Sequence, residues 1–165
     1  MKIFWQKKNL RNLVFFTLGT NCGLRISDIL ALNVKDVKNK NYIELIEKKT
    51  GKYKKFPLNA KLKPILKEFT KNRKENEPLF TTKYNNRLER FAAYQIIKDA
   101  CRQAGLEEHV GTHTMRKTFG YHYYQKYKDV VMLQKIFNHS NPQITLRYIG
   151  IEQDKIYESY IDFVL

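Results

Sequence analysis

The sequence has two cysteines, Cys22 and Cys101, and neither stands at metal-ligand spacing from the other or from the four histidines. A disulfide framework and a zinc module are both excluded on that ground, and each thiol is expected to act as a small hydrophobe. His109 and His113 are four apart, a helical metal-pair spacing, yet Gly111 lies between them and no third ligand follows. Long apolar runs are also missing. The longest, Leu13 to Phe16, is far short of the roughly 20 residues that span a bilayer. After Lys2 only three apolar residues precede Gln6 and Lys7, so no secretory signal is evident and cytoplasmic residence is expected, with no membrane partner. The seven glycines form no phosphate-binding loop, and the four prolines mark no Pro-rich linker. Acidic residues are scarce and form no metal cluster, so no cofactor is expected.

That scarcity points to the partner. Against 16 Asp and Glu stand 31 Lys and Arg, a formal charge of +15, which favours a polyanion. A hydrophobic content of 42% and a length of 165 residues suit one folded domain, residues 1–165, with a true core. Eleven tyrosines and ten phenylalanines are interleaved with the basic residues, so the charge lies on a folded surface and not on a tail.

Apolar periodicity predicts a first helix from Asn9 to Gly19, with Leu10, Leu13, Val14 and Thr17 on one face. Ser27 is positioned to cap a second, Asp28 to Leu32, with Asp28 complementing the helix dipole. Tyr42 to Glu47 alternates Ile43 and Leu45 against Glu44 and Glu47, and Tyr53 to Leu58 is a second extended run. The two predict a β-hairpin with a lysine-rich tip. Helices are expected over Asn59 to Lys74, around Ala93 to Ala104 with Gly105 as terminator, from Thr114 through Tyr127, and over Asp129 to Phe137 with Asn138 as cap. Ser140 and Gln143 have capping-box spacing, with Pro142 in the first turn of a short helix that Tyr148 closes. Tyr121, Tyr123, Tyr124 and Tyr127 read as packing aromatics. Glu152 to Leu165 reads as an amphipathic terminal helix carrying Ile156, Tyr157, Tyr160 and Phe163. The fold class is α+β, mostly α, with one small antiparallel sheet.

Four separated segments carry candidate chemistry: Cys22-Gly-Leu-Arg25-Ile-Ser-Asp28, Lys49-Thr-Gly on the hairpin, His113-Thr-Met-Arg116, and Asn138-His139-Ser-Asn followed by Thr145-Leu-Arg-Tyr148-Ile-Gly150. Each alone is common, but the ordered set, with Tyr148 nine residues after His139, resembles the catalytic domain of the tyrosine recombinase, or phage integrase, family. The resemblance runs from about Asn9 to Ile151. It implies cleavage of double-stranded DNA by a tyrosine that leaves a 3′-phosphotyrosine and a free 5′-hydroxyl, without metal or ATP.

That chemistry accounts for the residue types. In-line attack on a phosphodiester builds negative charge on the non-bridging oxygens, and a planar guanidinium that never loses its charge can hold two of them. Arg25 and Arg116 are the candidates. Tyr148 is the expected nucleophile. A phenol of pKa about 10 is only about 0.1% ionised at neutral pH, so His113, three residues before Arg116, is the expected proton acceptor. The resemblance gives His139 a hydrogen bond to a phosphate oxygen. It places the acid for the leaving 5′-oxygen eight residues before Pro57, at Lys49, with Lys48 and Lys52 as rivals. It makes Asp28 a supporting acidic residue; as a helix-dipole residue alone Asp28 would need no further role.

Only 24 residues precede Arg25, so the helical core-binding domain usual ahead of this segment in the family is not expected within the sequence, whether the chain is an excised domain or naturally short. In the family the terminal helix often docks on a neighbouring subunit, within a tetrameric synapse; docking on its own domain is the alternative. A type IB topoisomerase and a DNA-binding module without catalysis are the competing readings. The compact size and the Gly-Leu-Arg and Asn-His-Ser segments favour a recombinase.

Overall fold

A computed structural model describes residues 9–106 and 110–163. Among the described residues it contains eight α-helices and one two-stranded antiparallel sheet. Helix α1 spans Leu10–Cys22, starting where the Asn9 side chain accepts the Asn12 N–H at 3.1 Å. It runs through Gly19 and stops at Gly23. There φ is +62°, and a Cβ would lie 2.5 Å from the Phe119 ring. Only glycine meets both demands, the left-handed turn and the close approach.

Helix α2, Ile26–Ala31, differs from the sequence expectation at its start. Arg25, not Ser27, is the cap residue, its backbone extended and its carbonyl receiving the Asp28 and Ile29 N–H groups. Ser27 already lies in the first turn, so its hydroxyl has no cap position to fill. Strands β1, Tyr42–Ile46, and β2, Tyr53–Pro57, pair with Ile43 opposite Phe56 and Ile46 opposite Tyr53. Helix α3, Leu62–Thr70, is shorter than expected at both ends. The Asn59 side chain accepts from Lys61 and Leu62 N–H, and Pro64 sits in the first turn, where its missing N–H costs nothing.

Helices α4, Arg90–Gln103, α5, Thr114–Tyr127, α6, Val130–Phe137, α7, Pro142–Ile149, and α8, Ile151–Asp162, complete the chain. Asn138 ends α6 in the left-handed conformation expected of it, at φ +53°. The cap of α7 is Asn141, whose side chain accepts the Ile144 N–H at 2.9 Å, and not Ser140. Pro142 fixes the first helical position, which moves the cap one residue later than the Ser140–Gln143 spacing suggests.

The apolar interior falls into a large cluster, a smaller one, and a pair formed by Leu13 and Ala100 between α1 and α4. The large cluster joins α1, α2, the hairpin, α3 and α4 through Phe15, Leu18, Ile29, Ile43, Leu66, Phe80 and Ile97. The smaller is built from Leu133, Phe137, Ile149 and Ile151, with Phe119, Tyr121, Tyr123, Tyr124 and Tyr148 packed against it. Helix α5 bridges them, with Met115 in the first and Phe119 against the second. Gly120 lets α5 approach closely. A Cβ there would meet Ile149 Cγ2 at 2.6 Å and the Phe137 ring at 2.8 Å. Arg116 lies buried between the clusters, joined to Gly23 and Phe137.

Candidate active site

Arg25 and Arg116 converge on one backbone atom. Arg116 Nη2 donates to the Phe137 carbonyl at 2.9 Å, and Arg25 Nη2 points to the same oxygen at 3.4 Å. Arg116 Nη1 donates to the Gly23 carbonyl, and its guanidinium lies 4.2 Å from the centroid of the Phe137 ring. These contacts join the end of α1 to the end of α6. A guanidinium has five N–H groups, so each arginine keeps donors beyond those committed to the fold. Burial, reinforced by the charge of Arg25, lowers the Arg116 pKa to about 10, which still leaves it cationic at neutral pH.

Tyr148 stands near the end of α7, half-buried, and its hydroxyl lies 3.2 Å from His113 Nδ1. Its ring packs edge-on against Phe137 at 5.6 Å and His139 at 5.2 Å between centroids. Burial raises the Tyr148 pKa, against the opposing pull of Arg116 and Arg25. His113 occupies the cap position of α5. Its pKa is lowered by partial burial and then by Arg90, Arg116, Lys117 and Lys49. Arg90 reaches the residue beside it, donating to Thr112 Oγ1 at 3.3 Å. His139 Nδ1 meets the buried Thr145 Oγ1 at 3.0 Å. Burial and the charges of Arg116, Arg25, Lys49 and Lys54 bring its pKa down to about 4. Both imidazoles are therefore neutral at pH 7.

The sequence expected Glu47 on the solvent side of the hairpin, but it is 1% exposed, while its neighbour Ile46 is 69% exposed. Glu47 Oε1 pairs with Arg25 Nη1 at 2.7 Å. Its Oε2 accepts from Thr50 Oγ1 and from Asn138 Nδ2, each at 2.7 Å. Burial by itself would raise this carboxyl. The two hydrogen bonds and the nearby Arg25 and Lys54 outweigh it and hold the pKa below the ordinary value. Sequence reasoning missed Glu47 because its charge grouped it with Glu44, whereas period-two alternation puts it on the face of Ile43 and Leu45. That inward order continues one residue past the end of the strand at Ile46.

Lys54 was missed as well. Half-buried on the Phe56 side of β2, it donates to the Lys135 and Ile136 carbonyls at the end of α6, and burial lowers its pKa. Lys49 is exposed at the hairpin tip, close enough for its charge to act on both His113 and His139. Asp28 is buried; its Oδ1 accepts the Lys48 N–H at 3.0 Å, so it holds the backbone immediately before Lys49. Its Oδ2 has no hydrogen-bond partner among the described residues. His109 lies outside the described residues, and among those described no group of three or more His, Cys, Asp or Glu could hold a metal ion.

Two guanidiniums, two neutral imidazoles and a tyrosine hydroxyl thus share one basic pocket on a mostly helical domain with one hairpin. That combination is the catalytic domain of the tyrosine recombinase class. The phage integrase family model matches residues 1–154, and the chain belongs to that family. It is 48% identical over 161 residues to the probable integrase/recombinase YoeC of Bacillus subtilis, covering 97% of this chain and 88% of that protein. Identity to the tyrosine recombinase XerA of Pyrococcus horikoshii is 27% over 163 residues, covering 96% of this chain but only 56% of that one. The chain therefore spans about half the length of the Xer-type relative.

Among solved structures, a XerH site-specific recombinase in a post-cleavage complex with its palindromic difH substrate superimposes with a TM-score of 0.73. The match has 25% identity and covers 92% of this chain and 45% of that chain. A XerA recombinase crystal structure gives 0.74 at 18% identity, over 96% and 59%, a likeness of fold.

Proposed function

We propose that this chain cleaves and rejoins double-stranded DNA as a site-specific recombinase, in integration or excision, through a covalent 3′-phosphotyrosine at Tyr148. The observation that carries this reading is the 3.2 Å contact between the Tyr148 hydroxyl and His113 Nδ1, beside His139 and in front of Arg116. A neutral His113 with Nδ1 free of hydrogen accepts the phenol proton as the tyrosine oxygen bonds to phosphorus. Arg25 and Arg116 hold the non-bridging oxygens as charge builds there. With the Thr145 hydroxyl donating to Nδ1, His139 keeps its own proton on Nε2 and offers it to the same phosphate. Lys49 gives a proton to the departing 5′-oxygen, and the P–O5′ bond breaks. The reverse sequence, with a 5′-hydroxyl from another strand as attacker, restores the diester and frees Tyr148.

Self-association on DNA follows from α8. Only Ile151 of this helix is buried, while Tyr157, Tyr160 and Ile161 are exposed, a surface suited to a neighbouring copy in a tetrameric synapse. No described helix is long and apolar enough to cross a membrane, and the site of action we propose is the cytoplasm. The relatives above are named recombinases and integrases, which favours strand exchange over topoisomerase-type relaxation.

The test is covalent capture on a pool of short nicked duplexes of randomised sequence, in the presence of a chelator. Wild type is expected to give a protein–DNA adduct and Tyr148→Phe none. An adduct that requires metal, or that persists in Tyr148→Phe, contradicts the scheme.

A further inference from the structure

Lys49 sits on an exposed turn, where a lysine ordinarily samples many positions, yet a leaving-group acid must be placed to within a hydrogen bond of the oxygen it protonates. The structure supplies the restraint on both sides of it. Before Lys49, the buried Asp28 carboxylate holds the Lys48 N–H. After it, Thr50 donates its hydroxyl to Glu47 Oε2. The backbone closes the same loop, with the Gly51 N–H donating to the Glu47 carbonyl at 2.8 Å and the Glu47 N–H to the Lys52 carbonyl at 2.9 Å. The Lys49 ammonium itself has no hydrogen bond or ion pair among the described residues, so the turn is fixed while its proton donor stays available.

Glu47 does more than close a turn. The carboxylate that holds Thr50 also pairs with Arg25 and accepts from Asn138, the residue directly before His139. We infer that Glu47 is a positioning residue which sets Lys49 in register with the phosphate-binding arginine and the histidine segment through these three contacts. The inference rests on the cleavage scheme above. It adds that Glu47, besides its pairing with Arg25, acts through Thr50 and Lys49 on proton delivery to the 5′-oxygen as the P–O5′ bond breaks. A carboxylate is not strictly required. A glutamine can accept from Arg25 through its oxygen and donate through its nitrogen to Thr50 Oγ1 and to a flipped Asn138 amide.

The experiment uses single-turnover adduct formation on the captured duplex, made once with the ordinary 5′-oxygen and once with a bridging 5′-sulfur, which departs without protonation. On the ordinary duplex, Glu47→Ala is expected to slow cleavage by about tenfold or more, and Lys49→Ala by roughly a hundredfold. On the sulfur duplex Lys49→Ala is expected to approach the wild-type rate and Glu47→Ala to recover in part, the loss of its pairing with Arg25 remaining. Glu47→Gln is expected to stay within about threefold of wild type on either duplex, since it can keep all three contacts. Thr50→Val removes the hydroxyl's contacts to Glu47 Oε2 and to the Lys52 N–H and leaves the Glu47 contacts to Arg25 and Asn138 intact. It reads the same effect free of any folding defect, slow on oxygen and restored on sulfur.

If Lys49→Ala is rescued by sulfur while Glu47→Ala and Thr50→Val are equally slow on both duplexes, the positioning role is overturned and the nucleophile assignment stands. If Lys49→Ala is not rescued, Lys49 is not the acid, and the inference falls with that assignment.

Discussion

At the scale of single residues, the state of the two histidines decides how the site can work. His113 is held below the ordinary 6.5, so at pH 7 the ring is neutral, and with its one proton on Nε2 the Nδ1 is a free acceptor facing the Tyr148 hydroxyl. Acidification through the His113 pKa fills that acceptor. Cleavage by wild type is therefore expected to hold between pH 7 and 8 and to fall only on acidification below the ordinary 6.5. Single-turnover rates across that range check it, and a rate that rises on acidification contradicts the assignment. His113→Ala is expected to lose on the order of 10² to 10⁴ in rate. Arg116→Lys is expected to lose about a hundredfold, because one ammonium cannot hold the Gly23 and Phe137 carbonyls and still clamp a phosphate.

The positions of Arg25, His113, Arg116, His139 and Tyr148 were legible in the sequence because each belongs to a short motif with a fixed order. Glu47 and Lys54 were not. Alternation puts both on the inward side of the hairpin, but a charged residue is buried there only by partners far along the chain, Asn138 and the end of α6.

At the scale of elements, most helices were readable from periodicity, whereas two caps shifted by one or two residues. Arg25 takes the cap of α2 and Asn141 that of α7, in both cases because a neighbour fixes the geometry: the side-chain commitment of Arg25 to Glu47, and the ring of Pro142. The close approach of α5 to α6 and α7 was not readable, since Gly120 looks like any helical glycine. Alanine there has a helix propensity advantage of up to about 1 kcal/mol, but overpacking a filled core costs about 1–3 kcal/mol. Phe137 is fully buried against Arg116 and cannot give way. Gly120→Ala is therefore expected to lower the melting temperature, and an unchanged or raised value contradicts the packing account.

Helix α8 is the opposite case. Tyr160 and Ile161 are 77% and 78% exposed, so replacing both with serine is expected to change folding stability by no more than about 0.5 kcal/mol each. The same change is expected to abolish higher-order complexes of the DNA-bound protein on native gels, while adduct formation persists.

At the scale of the whole molecule, charge dominates. With +15 on 165 residues, phosphate neutralisation is expected to govern binding; contact with about six phosphates gives a slope of log affinity against log salt of roughly −5. A flat response contradicts a DNA-facing basic surface.

The buried site also couples folding to pH. In the unfolded chain His139 takes up a proton below the ordinary 6.5; in the fold it resists until about 4. The unfolded state thus binds more protons in that window. The contribution of neutral His139 is whole above about 6.5 and declines as the pH falls toward 4. Glu47, held below the ordinary 4.5, contributes above that value and loses its contribution beneath it. The melting temperature is expected to fall between pH 7 and 5, and to fall less in His139→Gln.

The central claim is that one tyrosine among eleven forms the bond to DNA. Mass spectrometry of the protease- and nuclease-digested adduct tests it directly. The account predicts a single nucleotide-bearing peptide, modified at Tyr148. A modification on Tyr121, Tyr123, Tyr124 or any other side chain, with Tyr148 unmodified, contradicts it.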